Sequence, residues 1–124
     1  MAPATNEAMK LYGIPNCNTV RKARNWLDHH RIEHHFHDFK KQGLEPQLAQ
    51  AWLQQWGWEK LINRSGLTWR GISDLQKQSI QDNTSAHQLM LEKLSVIKRP
   101  LLERDHELLC IGFDEAAYQK IFNL

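Results

Sequence analysis

Hydrophobic and polar positions along the chain follow two periods, short β-like runs and longer helical ones. Residues 9–14 predict a strand. Residues 16–30 predict a helix, with an apolar stripe at Val20, Ala23 and Leu27. Residues 32–39 predict a second strand, and a unit of this size favours a parallel pair joined by a right-handed crossover. The order of the runs therefore predicts an α/β sheet with helices packed against it.

The middle of the chain is predicted to be helical. Pro46 suits the first turn of a helix that Gly57 ends, and a short helical piece is expected over residues 58–63. Residues 64–71 carry two glycines and neither period, which predicts a loop.

Capping patterns mark the next two helices. Ser73 with Gln76 forms a capping-box pattern for a helix that ends near residue 80. Thr84 or Ser85 is expected to cap the helix after it.

The last part of the chain returns to β-like runs. Apolar residues 101–102 and 108–111 flank a polar stretch and precede Gly112, which predicts a β-hairpin. Asp114 is expected to cap a closing helix.

Length and composition indicate one soluble domain. A chain of 124 residues can bury a real core but is too short for two ordinary domains, so we expect a single domain over residues 9–124. Residues 1–8 lack the features of a secretory signal and are expected to form a polar tail. No apolar run approaches the length of a bilayer span. We therefore expect a cytoplasmic protein.

Charge and cysteine content exclude several classes of function. A net charge of +2 without a basic stripe predicts no direct nucleic-acid contact and no membrane binding. Cys17 and Cys110 lie far apart, which favours two separate thiols over a structural disulfide. Cys110 lies in an apolar run and is expected to be a packed core thiol.

Cys17 is the candidate nucleophile. It lies where the first strand gives way to a helix, and the unpaired N–H groups and the positive dipole end of a first helical turn favour a thiolate. Arg21, one turn later, can add positive potential. The alternative is a small buried apolar residue, but Asn16 and Asn18 argue against burial.

Five histidines lie close together in sequence and raise a metal hypothesis: His29, His30, His34, His35 and His37. No nearby cysteine completes a recognisable ligand set. We therefore predict no metal and no tightly bound cofactor.

Several segments together resemble the arsenate-reductase-like (ArsC/Spx) family, most nearly its YffB subgroup. The segments are residues 12–17 (YGIPNC), 36–39 (FHDF), 57–64 (GWEKLINR), 68–70 (TWR) and 97–102 (IKRPLL). Their order and spacing carry the resemblance across roughly residues 9–122, which makes it more specific than one short motif. It implies a thioredoxin-like fold, a four-stranded mixed sheet in which a helical insert separates strand-helix-strand from a hairpin and closing helix.

The resemblance also implies a site. The family's nucleophilic cysteine maps onto Cys17 and its cis-proline onto Pro100. Arsenate reductases surround the cysteine with three arginines, of which Arg64 and Arg99 match the first two. Residues 109–112 hold no arginine where those enzymes carry the third, which argues against tight arsenate chemistry.

The family context implies a thiol-dependent reductase with glutathione as co-substrate. Regulators of the Spx branch usually carry Cys-x-x-Cys at this turn, but Val20 holds the fourth position here. An external thiol must therefore resolve a mixed disulfide, unless Cys110 can reach it. Glutathione is anionic and peptide-like, which suits the predicted binding residues Asn16, Asn18, Arg64, Arg99 and Pro100.

Two other functions stay open at this point. An Spx-like regulator would bind RNA polymerase through the helical insert, and a true arsenate reductase would need a substitute for the missing arginine. For the reductase we expect a monomer, with glutaredoxin as a further possible partner.

Overall fold

The computed structural model describes residues 9–124, so the predicted tail at residues 1–8 lies outside the described part. The chain divides into two compact units. The first runs to Gln42 and resumes at Arg99–Leu124, and the second is Gly43–Lys98. In the described range, no helix combines the length and apolar character needed to cross a membrane. The assignment of residues 9–124 to one domain stays a prediction.

The secondary structure follows the predicted order. The elements are β1 (Met9–Gly13), α1 (Asn18–His29), β2 (His35–Asp38), α2 (Phe39–Gln42), α3 (Pro46–Trp56), α4 (Trp58–Leu61), α5 (Leu67–Gly71), α6 (Asp74–Ser79), α7 (Asn83–Glu92), a 3-10 turn (Leu94–Val96), β3 (Leu101–Arg104), β4 (Glu107–Ile111) and α8 (Glu115–Ile121).

The first unit is built on one four-stranded mixed sheet in the order β2-β1-β3-β4. β1 is parallel to β2, while the β1–β3 and β3–β4 pairs are antiparallel. A parallel pair needs a crossover connection, which α1 supplies. The sheet confirms the predicted four-stranded mixed sheet and its thioredoxin-like order.

The core of the first unit forms where helix stripes meet the sheet. Its buried members are Met9, Leu11, Ala23, Trp26, Leu27, Leu102, Cys110 and Tyr118. The stripe residues predicted in α1 are fully buried, because helical spacing places them on one side of the helix. This burial fixes α1 against the sheet and so fixes the turn that precedes it.

The second unit is helical, as predicted. Its longest helices, α3 and α7, pack together through buried Ala49, Trp52, Leu53, Ala86, Leu89 and Met90. A single antiparallel bridge joins Ile62 to Ile97. Hydrogen bonds from Asn63 N to Val96 O and from Lys98 N to Leu61 O, both 2.8 Å, hold the same segments together.

The predicted loop over residues 64–71 is wrong in its second half, where α5 forms. Gly66 is its N-cap, and its carbonyl accepts a hydrogen bond from Arg70 N at 3.1 Å. The Thr68 hydroxyl lies 2.7 Å from that of Ser95, which fastens the turn within its unit. Five residues are too few to display a helical period, so the sequence pattern could not reveal this helix.

The predicted cap of α7 was also misplaced. Asp82, not Thr84 or Ser85, is the N-cap, and its carboxylate accepts from Ser85 N at 2.8 Å. The Ser85 hydroxyl accepts from Asp82 N at 3.2 Å, which completes a reciprocal capping box. Serine here takes the position that Glu or Gln usually holds, so the usual capping-box pattern does not predict this cap.

The predicted second strand is shorter than residues 32–39. Arg31 has a φ of 57°, so the chain turns just before the strand region, and β2 begins only at His35. At the other end, the Asp38 carboxylate accepts from Lys40 N at 2.9 Å and starts the one-turn α2. Side-chain capping by aspartate favours a helix over further strand.

Candidate active site

Cys17 is the N-cap of α1. Its backbone is extended (φ −116°, ψ 126°), and its carbonyl accepts the first hydrogen bond of the helix, from Arg21 N at 2.9 Å. The helix thus begins at Asn18, two residues later than predicted, and Cys17 stands immediately before the first turn. Its side chain is half-buried. A thiol at this position remains accessible to a reagent while it faces the free amides of the helix.

The surroundings of Cys17 favour its thiolate. Partial burial works to raise the pKa of Cys17, but the Val20 amide, the Arg99 side chain and the Thr19 amide act together against it, and the pKa lies below its ordinary value. A neutral thiol sulfur is a weak hydrogen-bond acceptor, and the Cys17 side chain forms no capping hydrogen bond with the helix. The helix amides therefore act mainly by stabilising the thiolate. The helix start and one guanidinium therefore supply what a nucleophilic thiol needs.

Gly13 allows the helix start to lie this close to the sheet. A β-carbon built on Gly13 would lie 2.8 Å from Val20 Cγ2 and 3.4 Å from Cγ1, whereas ordinary carbon contacts are about 3.5–4.0 Å. The Val20 side chain is fully buried against this gap. Because Val20 also supplies an amide to Cys17, the missing side chain at Gly13 helps to set the position of the thiolate's donor.

Arg99 and Pro100 lie just before β3 and belong to the same unit as Cys17. The Arg99–Pro100 peptide bond is cis, as predicted. Pro100 is buried, and its carbonyl accepts from Gly112 N at 2.8 Å, so that oxygen is engaged at the end of the β3–β4 hairpin. Strand β3 thus holds Arg99 at its leading end, where its charge acts on Cys17.

Arg21 has a different environment from the one predicted. Its guanidinium donates to Asn18 Oδ1 at 2.5 Å and to the Pro15 carbonyl at 3.4 Å. The cation that lowers the pKa of Cys17 is Arg99. The spacing correctly placed Arg21 one turn after Cys17 but could not show where its side chain would be held.

The remaining predicted binding residues are distributed between the two units. Asn16 and Asn18 are exposed on either side of Cys17. Arg64 belongs to the second unit, where its guanidinium lies 5.2 Å from the centre of the Trp58 ring, in the range of a cation–π contact. A role for Arg64 beside the nucleophile stays a prediction.

Cys110 is a buried thiol on β4, as predicted. Its Sγ lies 3.6 Å from the Gly112 carbonyl, and both cysteines of the chain are free. Burial, and then the charge of Asp114, raise the pKa of Cys110. The two thiols therefore differ in the ease of ionisation, which is the property that decides thiol reactivity.

The histidine cluster does not converge on a ligand set. Across residues 9–124, no three His, Cys, Asp or Glu side chains are grouped so that they could hold a metal ion. His30 packs against Trp26, with ring centres 4.1 Å apart, and His37 packs against Tyr12 at 4.8 Å. These two imidazoles serve as ring contacts in the first unit.

A buried carboxyl on the sheet was missed by the sequence analysis. Glu103 is only 3% exposed and accepts a hydrogen bond of 3.0 Å from the Tyr12 hydroxyl. Burial, and then the charge of Glu103, raise the pKa of Tyr12. Tyr12 and Glu103 are far apart in sequence. The β1–β3 register pairs Lys10 with Glu103, and Tyr12, two residues further along β1, lies on the same face of the sheet. Only this register could have revealed the contact.

Comparison with known proteins identifies the family. The family model described as "ArsC family" matches residues 12–121, most of the chain. The chain belongs to the ArsC family. Its fold is thioredoxin-like, which agrees with the mixed sheet and with the cis-proline before β3.

This ArsC-family chain is similar to two solved structures that it covers almost completely. A protein named YFFB is 39% identical to this chain, with a TM-score of 0.85. The alignment spans 90% of this chain and 96% of the YFFB chain. An arsenate reductase (ArsC) related protein from Brucella melitensis is 43% identical with a TM-score of 0.74, over 94% of this chain and 96% of its own. These similarities confirm the resemblance to the YffB subgroup.

The family also connects this chain to a regulator. The global transcriptional regulator Spx of Enterococcus faecalis is 28% identical over 110 residues, which is 86% of this chain and 80% of that protein.

Proposed function

We propose that this ArsC-family protein is a glutathione-dependent thiol reductase, with Cys17 as its nucleophile. The observation that carries the proposal is the half-exposed sulfur at the start of α1, whose thiolate is favoured by helix amides and by Arg99. A lowered pKa raises the thiolate fraction near neutral pH, and only the thiolate attacks disulfides.

Arg99 has two roles in the proposed reaction. Its positive charge stabilises the Cys17 thiolate, and its planar guanidinium suits a carboxylate or oxyanion on the bound substrate. Arg64 is proposed as a second cation for anionic substrates, on the strength of the family resemblance. Asn16, Asn18 and the Pro100 backbone are the proposed neighbours of the peptide part of glutathione.

The proposed chemistry is two successive thiol–disulfide exchanges. The Cys17 thiolate attacks the glutathione sulfur of a mixed disulfide, so that the old S–S bond breaks, the substrate leaves as a thiolate and takes up a proton, and a Cys17–glutathione disulfide forms. A second glutathione thiolate then attacks that glutathione sulfur. This step releases oxidised glutathione and restores Cys17, so that overall one free glutathione thiol is consumed and one substrate thiol is released.

The resolving thiol is proposed to come from outside the chain. Val20 stands where a vicinal cysteine would be, and Cys110 is the one other cysteine in the sequence. Because Cys110 is buried and its pKa is raised, it is a poor attacking group. The glutathione pool of the cytoplasm, where we propose that the protein acts, is the natural source, and glutaredoxin is a possible downstream partner.

The test is the reaction of the purified protein with oxidised glutathione, followed by intact-mass spectrometry. We expect one glutathione per chain, no adduct in Cys17→Ser and an unchanged adduct in the matched variant Cys110→Ser. Arg99→Gln should slow adduct formation at neutral pH and shift the pKa of Cys17 upward. An adduct that persists in Cys17→Ser, or no adduct in the wild type, would refute the proposal.

A second candidate function is an Spx-like regulator that binds RNA polymerase. It is favoured by the similarity to the Enterococcus faecalis regulator over most of the chain. The distinguishing experiment is capture of purified RNA polymerase by wild type and Cys17→Ser. Equal capture by both, combined with no turnover of glutathione disulfides, would replace the reductase proposal with this one.

Arsenate reduction is a third candidate, favoured by the similarity to the Brucella melitensis protein. The sequence has no arginine at residues 109–112 to complete the set that Arg64 and Arg99 begin. We therefore expect arsenate turnover with glutathione to be slow. A rate typical of enzymes would overturn that expectation.

A further inference from the structure

One arginine spans the turn that carries the nucleophile. Arg21 donates from Nη1 to the carbonyl of Pro15, two residues before Cys17, and from Nη2 to Oδ1 of Asn18, one residue after it. All four residues lie in the first unit. A single guanidinium therefore contacts the chain on both sides of the sulfur.

The shape of the guanidinium matters here more than its charge. Two nitrogens in a fixed fork serve two acceptors at once, which an ammonium group on a flexible stem does not reproduce. Arg21 itself is exposed, so its charge alone would contribute little. Lys22, the next residue, is also exposed and provides the same charge in the same turn of α1, so the two effects can be separated by substitution.

The contact with Arg21 determines which end of the Asn18 amide can meet a substrate. An amide side chain has one acceptor oxygen and two N–H donors. With its oxygen bound by Arg21, Asn18 has its NH2 group left to donate, on the residue that follows the nucleophile in the chain. Donors at this position suit a ligand that brings acceptors, such as the carboxylates and peptide carbonyls of a thiol peptide.

We propose that Arg21 is a positioning residue that fixes the Asn18 amide as a hydrogen-bond donor to the acceptor groups of the thiol-peptide substrate. Arg21 acts through Asn18, and its second contact is the longer bond of 3.4 Å to the Pro15 carbonyl. This inference rests on the proposed reductase function and assigns the recognition of substrate acceptors to the start of α1.

The test compares two reagents on the full-length protein. Iodoacetamide reports only the thiolate of Cys17, whereas oxidised glutathione must also be recognised. For Arg21→Met we expect a roughly fivefold lower rate constant with oxidised glutathione and an unchanged pH profile with iodoacetamide, as for the loss of one hydrogen bond to bound substrate. Lys22→Met, the matched charge control, should leave both rates unchanged, and Arg21→Lys, which keeps the charge but not the fork, should lose about as much as Arg21→Met.

A double-mutant cycle shows whether Arg21 acts through Asn18. Asn18→Ala should reduce the rate with oxidised glutathione about as much as Arg21→Met, and the double variant should lose no more than either single variant. Additive losses, equal losses in Arg21→Met and Lys22→Met, or a parallel loss of the iodoacetamide rate would each overturn the proposal. Failure of the wild type to react with oxidised glutathione, while iodoacetamide labels Cys17, would instead refute the reductase function.

Discussion

Replacing Gly13 by alanine tests whether the close contact between β1 and α1 sets the position of the helix start. The new methyl group would lie 2.8 Å from Val20 Cγ2, so the two carbons must move apart by about 0.7–1.2 Å to reach an ordinary contact distance. Val20 is fully buried and β-branched, which leaves it essentially one χ1 rotamer in a helix. The helix end, rather than the side chain, is therefore expected to move.

The size of the effect follows from two opposing contributions. Forcing an extra methyl group into a packed core costs about 1–3 kcal/mol. Replacing glycine by alanine at a backbone conformation that alanine can adopt returns about 0.4–1 kcal/mol, because the unfolded chain loses freedom. We expect Gly13→Ala to lower the free energy of unfolding by about 1–2 kcal/mol. We also expect it to raise the pKa of Cys17, because the Val20 amide is drawn away from the sulfur.

The assay is urea unfolding, followed by the fluorescence of the chain's five tryptophans and by circular dichroism. Val20→Ala should by itself cost about 2 kcal/mol through the lost side-chain carbons. In the Val20→Ala background, Gly13→Ala should be neutral or stabilising, since the clashing carbons are gone. Gly71→Ala, at a glycine with open space around its Cβ position, is the matched control and should not destabilise the protein.

A destabilisation by Gly13→Ala of the same size with and without Val20 would refute this reasoning, because the cost would then arise elsewhere. An unchanged pKa of Cys17 in a clearly destabilised Gly13→Ala variant would show that the amide of Val20 does not move with its side chain.

Three further predictions follow from burial and capping. In the native protein a neutral thiol reagent should label Cys17 alone, and Cys110 should react only after urea unfolding; fast labelling of both thiols would contradict the buried β4 thiol. Asp82→Ala should lower the urea midpoint more than the matched variant Asp114→Ala, because only Asp82 accepts a side-chain cap bond, and equal shifts would contradict the capping assignment. Burial raises the pKa of both tyrosines, so their neutral form is favoured in the folded state and stability should fall as pH rises past the unfolded value of about 10. An absorbance titration should therefore show tyrosine ionisation coincident with unfolding, and ionisation at about pH 10 in the folded protein would count against it.

Local pattern was enough to predict the elements that carry the nucleophile. Val20, Ala23 and Leu27 recur at helical spacing and are all fully buried, so the position of α1 after β1 could be predicted from periodicity. The chemistry of Cys17 followed from that boundary, because any helix start presents free amides.

Contacts between distant segments could not be predicted from pattern. The action of Arg99 on Cys17 joins residues from the two halves of the first unit, and only the family resemblance suggested it. Glu103 belongs to the polar stretch of the predicted hairpin, yet it is buried in β3, where a hydroxyl from β1 donates to it. The two hydrogen bonds of the Arg21 guanidinium could not be predicted, because sequence spacing defines a helix face but not the acceptors that a long side chain will contact.

The burial of Cys110 and the valine at position 20 have a consequence for how the protein would behave over time. Because Cys110 is buried, the chain offers no second accessible thiol that could reduce an oxidised Cys17. The lifetime of the oxidised form would therefore depend on thiols in solution. The rate at which reduced Cys17 is regenerated should be first order in the external reductant. The fraction of chains with oxidised Cys17 should therefore vary continuously with the reductant concentration. The oxidation state of such a protein would report the concentration of thiols around it, and would not be reversed by a cysteine of its own.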